Sequence, residues 1–116
     1  MKDYTRFIFE NRHFSKENNR VKHSAFVPWP HFETSVSNIE SLDESGIWVV
    51  GDLTRENNPT ARGNLNEGAV TTAGLSLSNA EPPPRHWHIL GWDRNSKDAQ
   101  KDVALILAPL TELHVR

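Results

Sequence analysis

The chain has 116 residues, enough for one domain with a single hydrophobic core, and its 36% hydrophobic and 24% charged residues are typical of a soluble protein. Four Trp and five Phe residues exclude a disordered chain, and the absence of Cys excludes disulfides, thiolate nucleophiles and Cys-ligated zinc. A net charge of −2 provides no global attraction to nucleic acids or membranes. We therefore expect residues 1–116 to form a single cytoplasmic domain with no membrane segment and no nucleic-acid partner.

Alternation of apolar and polar residues predicts three strands in the first third of the chain, over residues 4–9, 20–27 and 32–39. The second strand should stop at the Pro28-Trp29-Pro30 segment that follows it, because neither proline can donate to a β-ladder. In the third strand, Phe32 and Val36 occupy inward positions.

The first helix signal is the Ser41-Leu42-Asp43-Glu44 segment, which fits a capping box and predicts a helix that begins near its second residue. Gly46 and Gly51 weaken this helix, each by about 1 kcal/mol relative to Ala. A strand across residues 47–50 is therefore the alternative to the helix.

Residues 55–64 are polar and rich in Asn, with one Pro and one Gly, and they predict a surface loop. After this loop, residues 65–72 predict one or two helical turns with Asn66 as the N-terminal cap. A short strand is expected over residues 75–77.

Residues 81–92 combine three consecutive prolines with a short alternating run. Pro82 to Pro84 lack N–H donors and have a fixed φ, which predicts an extended, polyproline-like approach. Arg85 to Trp92 then suits a strand in which Trp87 and Ile89 point into the core.

The two histidines of this strand, His86 and His88, project together from its opposite face toward a cleft or solvent. Two imidazoles on one strand face can reach one metal ion, but metal sites need three or four ligands. We therefore expect no metal and no cofactor. The favoured interpretation is a pair of surface or hydrogen-bonded histidines, with a metal site at His86 and His88 as the alternative.

The C-terminal segment carries the clearest helix, with Ser96 as its N-cap and Pro109 at its end. Its apolar stripe consists of Ala99, Val103, Ala104, Ile106 and Leu107. Residues 110–115 follow as a last strand, and residues 85–115 could form one parallel crossover unit. The whole pattern predicts an α+β domain, with a mixed or mainly antiparallel sheet of about six strands and two helices packed on it.

Three short motifs carry a resemblance to a protein family. Arg20-Val21-Lys22 with Ala25-Phe26 comes first, Ser35-Val36 follows, and Pro83-Pro84-Arg85-His86 with Ile89 and Gly91-Trp92 comes last. In this order they resemble small uncharacterised bacterial proteins, in which a Ser-Val strand precedes a Pro-x-His segment and a final helix. The resemblance implies a bacterial or phage origin, gives more weight to His86 than to His88, and implies no activity.

One functional hypothesis is an enzyme whose candidate catalytic residues are Arg6, Ser35 and His86. Such a set could hold a nucleotide phosphate or a ribose, as in ADP-ribosyl-transferring enzymes with an Arg-then-Ser arrangement. No acidic catalytic residue can be assigned, and the alternative for Arg6 is a charge that is paired with a carboxylate or exposed to solvent.

The favoured functional hypothesis is a protein-binding module, since no complete catalytic set can be assembled. Trp29 lies between two prolines and is followed by His31, which makes it a rigid aromatic candidate for an interface, and Trp92 at a turn is a second candidate. The alternative is that both indoles fold back onto the core. Small cysteine-free proteins of this kind serve as inhibitors, immunity proteins or accessory subunits of bacterial and phage conflict systems, with a partner that the sequence does not identify. Self-association is equally open.

Overall fold

The computed structural model describes residues 3–116, and its strands form one six-stranded sheet and one two-stranded ribbon. In chain order the strands are β1 (Asp3–Ile8), β2 (Phe14–Ser15), β3 (Arg20–Val21), β4 (Thr34–Asn38), β5 (Ala61–Asn66), β6 (Ser76–Asn79), β7 (His86–Leu90) and β8 (Glu112–Val115). The sheet has the order β6-β7-β4-β1-β5-β8, with every neighbouring pair antiparallel, and β2 pairs with β3. The predicted α+β class and the sheet of about six strands are confirmed.

Within the described residues, the α-helices are α1 (Glu44–Asp52), α2 (Glu67–Thr72) and α3 (Lys97–Leu107). Each begins at a side chain that accepts a backbone N–H of the first turn, namely Asp43, Asn66 and Ser96. The caps at Asn66 and Ser96 are as predicted, and residues 47–50 are helical rather than extended. The capping box at Ser41 is wrong by two residues, because the Asp43 carboxylate takes the N-cap position and accepts from Gly46.

Helices cover both faces of the sheet, and each face has its own apolar cluster. On one face α2, α3 and the β2–β3 ribbon enclose the larger cluster, which includes Tyr4, Val21, Val36, Leu65, Val70, Ile89 and Leu107. On the other face Ile47 of α1 packs with Phe7 and Ile39. The helix α1 leaves part of its face open at β4 and β7, where Ser35 is exposed.

The predicted loop over residues 55–64 is wrong at its C-terminal end, which belongs to β5 between β1 and β8. The strand was missed because Gly63 and the Asn residues are turn signals, although residues 61–66 do alternate, with Arg62 and Asn64 on the α1 face. Arg62 is only 1% exposed, and its Nη2 donates to the Glu44 carboxylate at 2.7 Å. A buried charge thus replaces the apolar residue that the pattern required.

Two further strand predictions fail at their ends. Of the strand predicted over residues 20–27, only Arg20 and Val21 form a β-strand. The chain then turns through a 3-10 helix at His23–Ala25, which places Phe26 in the core. Phe32 precedes β4 and is 42% exposed under the guanidinium of Arg94, so it does not point inward.

The β7 strand has the predicted faces, since Ile89 is fully buried and Trp87 packs against the larger cluster. The approach to it differs from the prediction. Pro82 to Pro84 form the bend of the β6–β7 hairpin rather than an extended lead-in, and His86 N–H bonds back to the Pro83 carbonyl. The parallel crossover unit is also wrong, because three strands separate β7 from β8 in the sheet.

Gly51 provides a test of how α1 packs on the sheet. A Cβ at this position would lie 2.6 Å from a ring carbon of Phe7 and 2.8 Å from Pro59 Cγ. We expect Gly51→Ala to lower the free energy of unfolding by about 1 kcal/mol or more, because this clash outweighs the better helix propensity of Ala. Urea denaturation measures the change.

The matched control is Val49→Ala in the same helix, where the side chain is 53% exposed. It should change the free energy of unfolding by less than about 1 kcal/mol. A Gly51→Ala variant more stable than the wild type would contradict the close contact between α1 and Phe7.

Candidate functional site

The site is built where β1 and β4 separate. The two strands pair only as far as Thr5 and Ser37. Beyond that point the guanidinium of Arg6 fills the space, since its Nε donates to the carbonyl of Ala25 at 2.8 Å and its Nη1 to that of Ser35 at 2.9 Å. One charged side chain thus replaces ladder hydrogen bonds and joins the segment before β4 to both strands.

The charge of Arg6 has no carboxylate partner among residues 3–116. Its partners are backbone carbonyls, and none of the ion pairs among the described residues includes it. Burial and the nearby charge of Arg55 lower the pKa of Arg6 to about 10, so it stays protonated at neutral pH. Of the two expected partners, a carboxylate or solvent, the carboxylate is not found among the described residues, and the cation is available to an external anion.

Ser35 and His86 form the polar pair next to Arg6. They lie on neighbouring antiparallel strands and on the same face, and His86 Nε2 is 3.2 Å from Ser35 Oγ. This distance is near the upper limit for a hydrogen bond. The structure therefore brings together Arg6, Ser35 and His86, the three residues that the sequence suggested as one set.

The electrostatic surroundings keep His86 neutral at pH 7. Burial and the adjacent His88 lower its pKa, against smaller raising effects of a hydrogen bond with the Ala80 backbone and of Glu33. A neutral imidazole can accept a hydrogen bond from a hydroxyl group through one ring nitrogen and donate a hydrogen bond through the other. Ser35 and His86 can thus recognise a ligand hydroxyl in either role.

His88 lies on the same sheet face as Ser35 and His86. Its ring meets that of His86 edge-on with centroids 4.7 Å apart, and its Nδ1 lies 3.2 Å from Glu33 Oε2. Among residues 3–116 there is no group of three or more metal-ligating side chains that could hold an ion. His86 thus has a serine as its hydrogen-bond partner, and His88 lies within ion-pair distance of a glutamate.

The Ser35–His86 pair faces a cavity of about 510 Å³ on the α1 side, which we call the sheet groove. Ser35, Ser37 and His86 contribute polar side chains from the sheet, and Val50, Leu53 and the proline bend contribute apolar side chains. The groove is lined by Arg6, Phe9, Ser35, Ser37, Val50, Leu53, Arg55, Pro83, Pro84 and His86, among others. Its size is in the range of small-molecule sites.

The predicted interface residues differ in exposure: Trp29 and His31 are exposed, whereas Trp92 is buried. Trp29 is 38% exposed, and its turn is held to α3 because the buried Gln100 donates through Nε2 to the His31 carbonyl at 3.0 Å. The His31 side chain is exposed. Trp92 is only 4% exposed, and its Nε1 donates to the Ile89 carbonyl, so it caps the core instead of reaching a partner.

Sequence reasoning missed Arg55, which lines the groove together with Arg6 and Arg85. Its guanidinium lies 4.5 Å from the centroid of the Phe9 ring, in contact with the end of the first strand. In the sequence it is one arginine at the start of a polar loop, without a spacing that would connect it to Arg6. Only the return of the chain after α1 brings the two together.

Comparison of the chain with known protein families, curated proteins and solved structures finds no match. The resemblance to small bacterial proteins therefore stays a prediction. In the part of the chain that the structure describes, no helix combines the length and the apolar character needed to cross a membrane.

Proposed function

We propose that this protein binds a small nucleotide-type ligand in the sheet groove. The observation that carries the proposal is the convergence of Arg6, Ser35 and His86 on one cavity of about 510 Å³. A nucleotide combines a flat apolar base, hydroxyl groups and an anionic phosphate. Those three parts correspond to the apolar wall, the serine–histidine pair and the unbalanced arginines.

The apolar wall suits a base because Val50, Leu53 and the prolines of the bend line the groove, and Leu53 is 82% exposed. Covering exposed apolar area favours binding. Ser35 and His86 would orient a ribose hydroxyl, and Arg6 with Arg55 would neutralise a phosphate. Arginine suits the last role because its planar donors match phosphate oxygens.

We propose binding rather than turnover. Acyl or glycosyl transfer at Ser35 would require an acid that orients His86 or stabilises the reacting sugar. Among the hydrogen bonds of residues 3–116, none joins a carboxylate to His86 or to the Ser35 side chain, and Glu33 contacts His88 instead. An enzyme that acts on a nucleotide or NAD is therefore the less favoured reading of the same site.

Isothermal titration with ATP and ADP-ribose tests the proposal. We expect Ser35→Ala and His86→Ala to weaken binding about tenfold each, because each removes a hydrogen-bond partner of the ligand. Ser76→Ala is the matched control, since Ser76 is an exposed serine of β6 on the same sheet face outside the groove lining. The groove would be contradicted as the site if the wild type bound neither ATP nor ADP-ribose. It would also be contradicted if Ser35→Ala, His86→Ala and Ser76→Ala all bound with the same affinity.

A second candidate function is binding of a protein partner through Trp29, which is the largest aromatic side chain left exposed on a turn. In that role the protein would be an inhibitor, immunity protein or accessory subunit of a bacterial or phage conflict system. A pull-down from host lysate with wild type and Trp29→Ala compares the two candidates. A stable partner that is lost with Trp29→Ala but kept with Ser35→Ala would favour this second function.

A further inference from the structure

A second cavity, of about 540 Å³, lies on the opposite side of Arg6, and we call it the basic cleft. Five Lys or Arg side chains and one carboxylate line it: Arg6, Arg12, Arg55, Lys97, Lys101 and Glu10. A chain with a net charge of −2 therefore concentrates positive charge at one place. Such local excess draws anions into a cavity, where low-dielectric walls strengthen the field.

Four of these cations have no carboxylate partner among the described residues. Glu10 pairs with Arg12, and the remaining ion pairs lie elsewhere, so the charges of Arg6, Arg55, Lys97 and Lys101 are not neutralised. Lys97 and Lys101 are one turn apart on α3 and share a helix face. The acidic residues of that helix, Asp98 and Asp102, do not line the cleft.

Two titrating groups within the cleft respond to this positive charge. Burial is the largest cause that lowers the pKa of His13, and the neighbouring Arg12 lowers it further. Burial, followed by the charge of Arg55, lowers the pKa of Arg6 as well. An anion in the cleft would relieve this repulsion as well as pair with the cations.

The basic cleft and the sheet groove adjoin each other. They share Arg6, Phe7, Phe9 and Arg55 as lining residues, because both cavities open where β1 and β4 separate. One ligand can therefore occupy both, with its anionic end on the α3 side.

We propose that the basic cleft binds the di- or triphosphate group of a nucleotide, whose nucleoside lies in the sheet groove. The four unpaired cations suit a polyphosphate better than a single phosphate, since a monophosphate could contact only part of the set. The identity of the nucleoside rests on the proposed function, whereas the polyphosphate site is testable without it.

Inorganic tripolyphosphate is the first probe, measured by isothermal titration at low and at high salt. The wild type should bind it, and binding should weaken as salt rises. The double variant Lys97→Gln/Lys101→Gln should lose about tenfold or more in affinity, because two charge-assisted contacts are removed. Lys16→Gln/Arg20→Gln is the matched control: both side chains are exposed, both lie outside the cleft, and the change in net charge is the same.

The second probe is the ratio of ATP to AMP affinity, which should be well above one in the wild type and should fall toward one in Lys97→Gln/Lys101→Gln. Ser35→Ala should weaken ATP binding and leave tripolyphosphate binding unchanged. Binding of tripolyphosphate without binding of any nucleotide would support the cleft and refute the proposed function.

Three results would overturn the cleft assignment. The first is no tripolyphosphate binding by the wild type, and the second is equal loss in the Lys97/Lys101 variant and in its control. The third is a single-stranded oligonucleotide that binds far more tightly than ATP, which would assign the cleft to nucleic acid.

Discussion

Replacing Arg62 by alanine is expected to lower the free energy of unfolding by about 3 kcal/mol, because it removes a long side chain from the interior. Arg62 is among the largest fully buried side chains, at 1% exposure. Its guanidinium lies 4.9 Å from the centroid of the Trp48 ring and bonds to Glu44, so it joins β5 to α1. Urea denaturation followed by circular dichroism measures the loss.

The variant Arg62→Met separates volume from charge. Two of the Arg62 donors, Nε and Nη1, are buried without a hydrogen-bond partner. Glu44 is 64% exposed, so removal of the guanidinium leaves a carboxylate that water can solvate, and Met retains most of the buried volume. We expect Arg62→Met to be within about 1 kcal/mol of the wild type. A loss as large as that of Arg62→Ala would show that the charge itself holds α1 in place.

The ion pair also predicts how stability depends on pH. Burial tends to raise the pKa of Glu44, but hydrogen bonds from Arg62 and Trp48 outweigh it, so the pKa is below its ordinary value of 4.5. Because the folded-state pKa is the lower one, the stabilisation is complete above about pH 4.5 and is lost as the pH falls below that value. Arg62→Met should flatten this acid-side loss, which urea midpoints between pH 3 and pH 6 would show.

Trp87→Ala is expected to cost about 3 kcal/mol in the free energy of unfolding. The indole packs against the larger cluster and meets the Tyr4 ring at 5.4 Å in an edge-on arrangement. His88→Ala, on the opposite face of the same strand, should cost less than about 1 kcal/mol, since its ion-pair contact with Glu33 is partly solvated. Thermal melts of the two variants compare the two faces of β7. If His88→Ala were the more damaging variant, the register of β7 would be wrong.

Sequence reasoning predicts the elements whose pattern and caps agree. The helix α3 has an N-cap at Ser96 and an apolar stripe, and the alternation of β7 identifies its buried face at Ile89. It fails at β5, because the burial of Arg62 depends on Glu44 and Trp48 from a distant helix. Local alternation contains no information about such a partner.

The candidate site is predictable in composition but not in geometry. Arg6, Ser35 and His86 are suggested by their residue types and by their positions on predicted strands. Their hydrogen bonds depend on the sheet order, which places β4 between β1 and β7. The basic cleft depends on residues that are farther apart in the sequence, since α3 brings Lys97 and Lys101 beside Arg6 only after the chain has folded.

The most direct test of a nucleotide ligand across groove and cleft is an amide NMR titration of the ¹⁵N-labelled wild type with ATP. We predict saturable shifts of the amides at and beside Arg6, Ser35, Arg55, His86 and Lys97, from both cavities in one titration. Shifts confined to other surfaces, such as the exposed Leu105 and Ile106 of α3, or no saturable shift at all, would contradict a nucleotide site across the groove and the cleft.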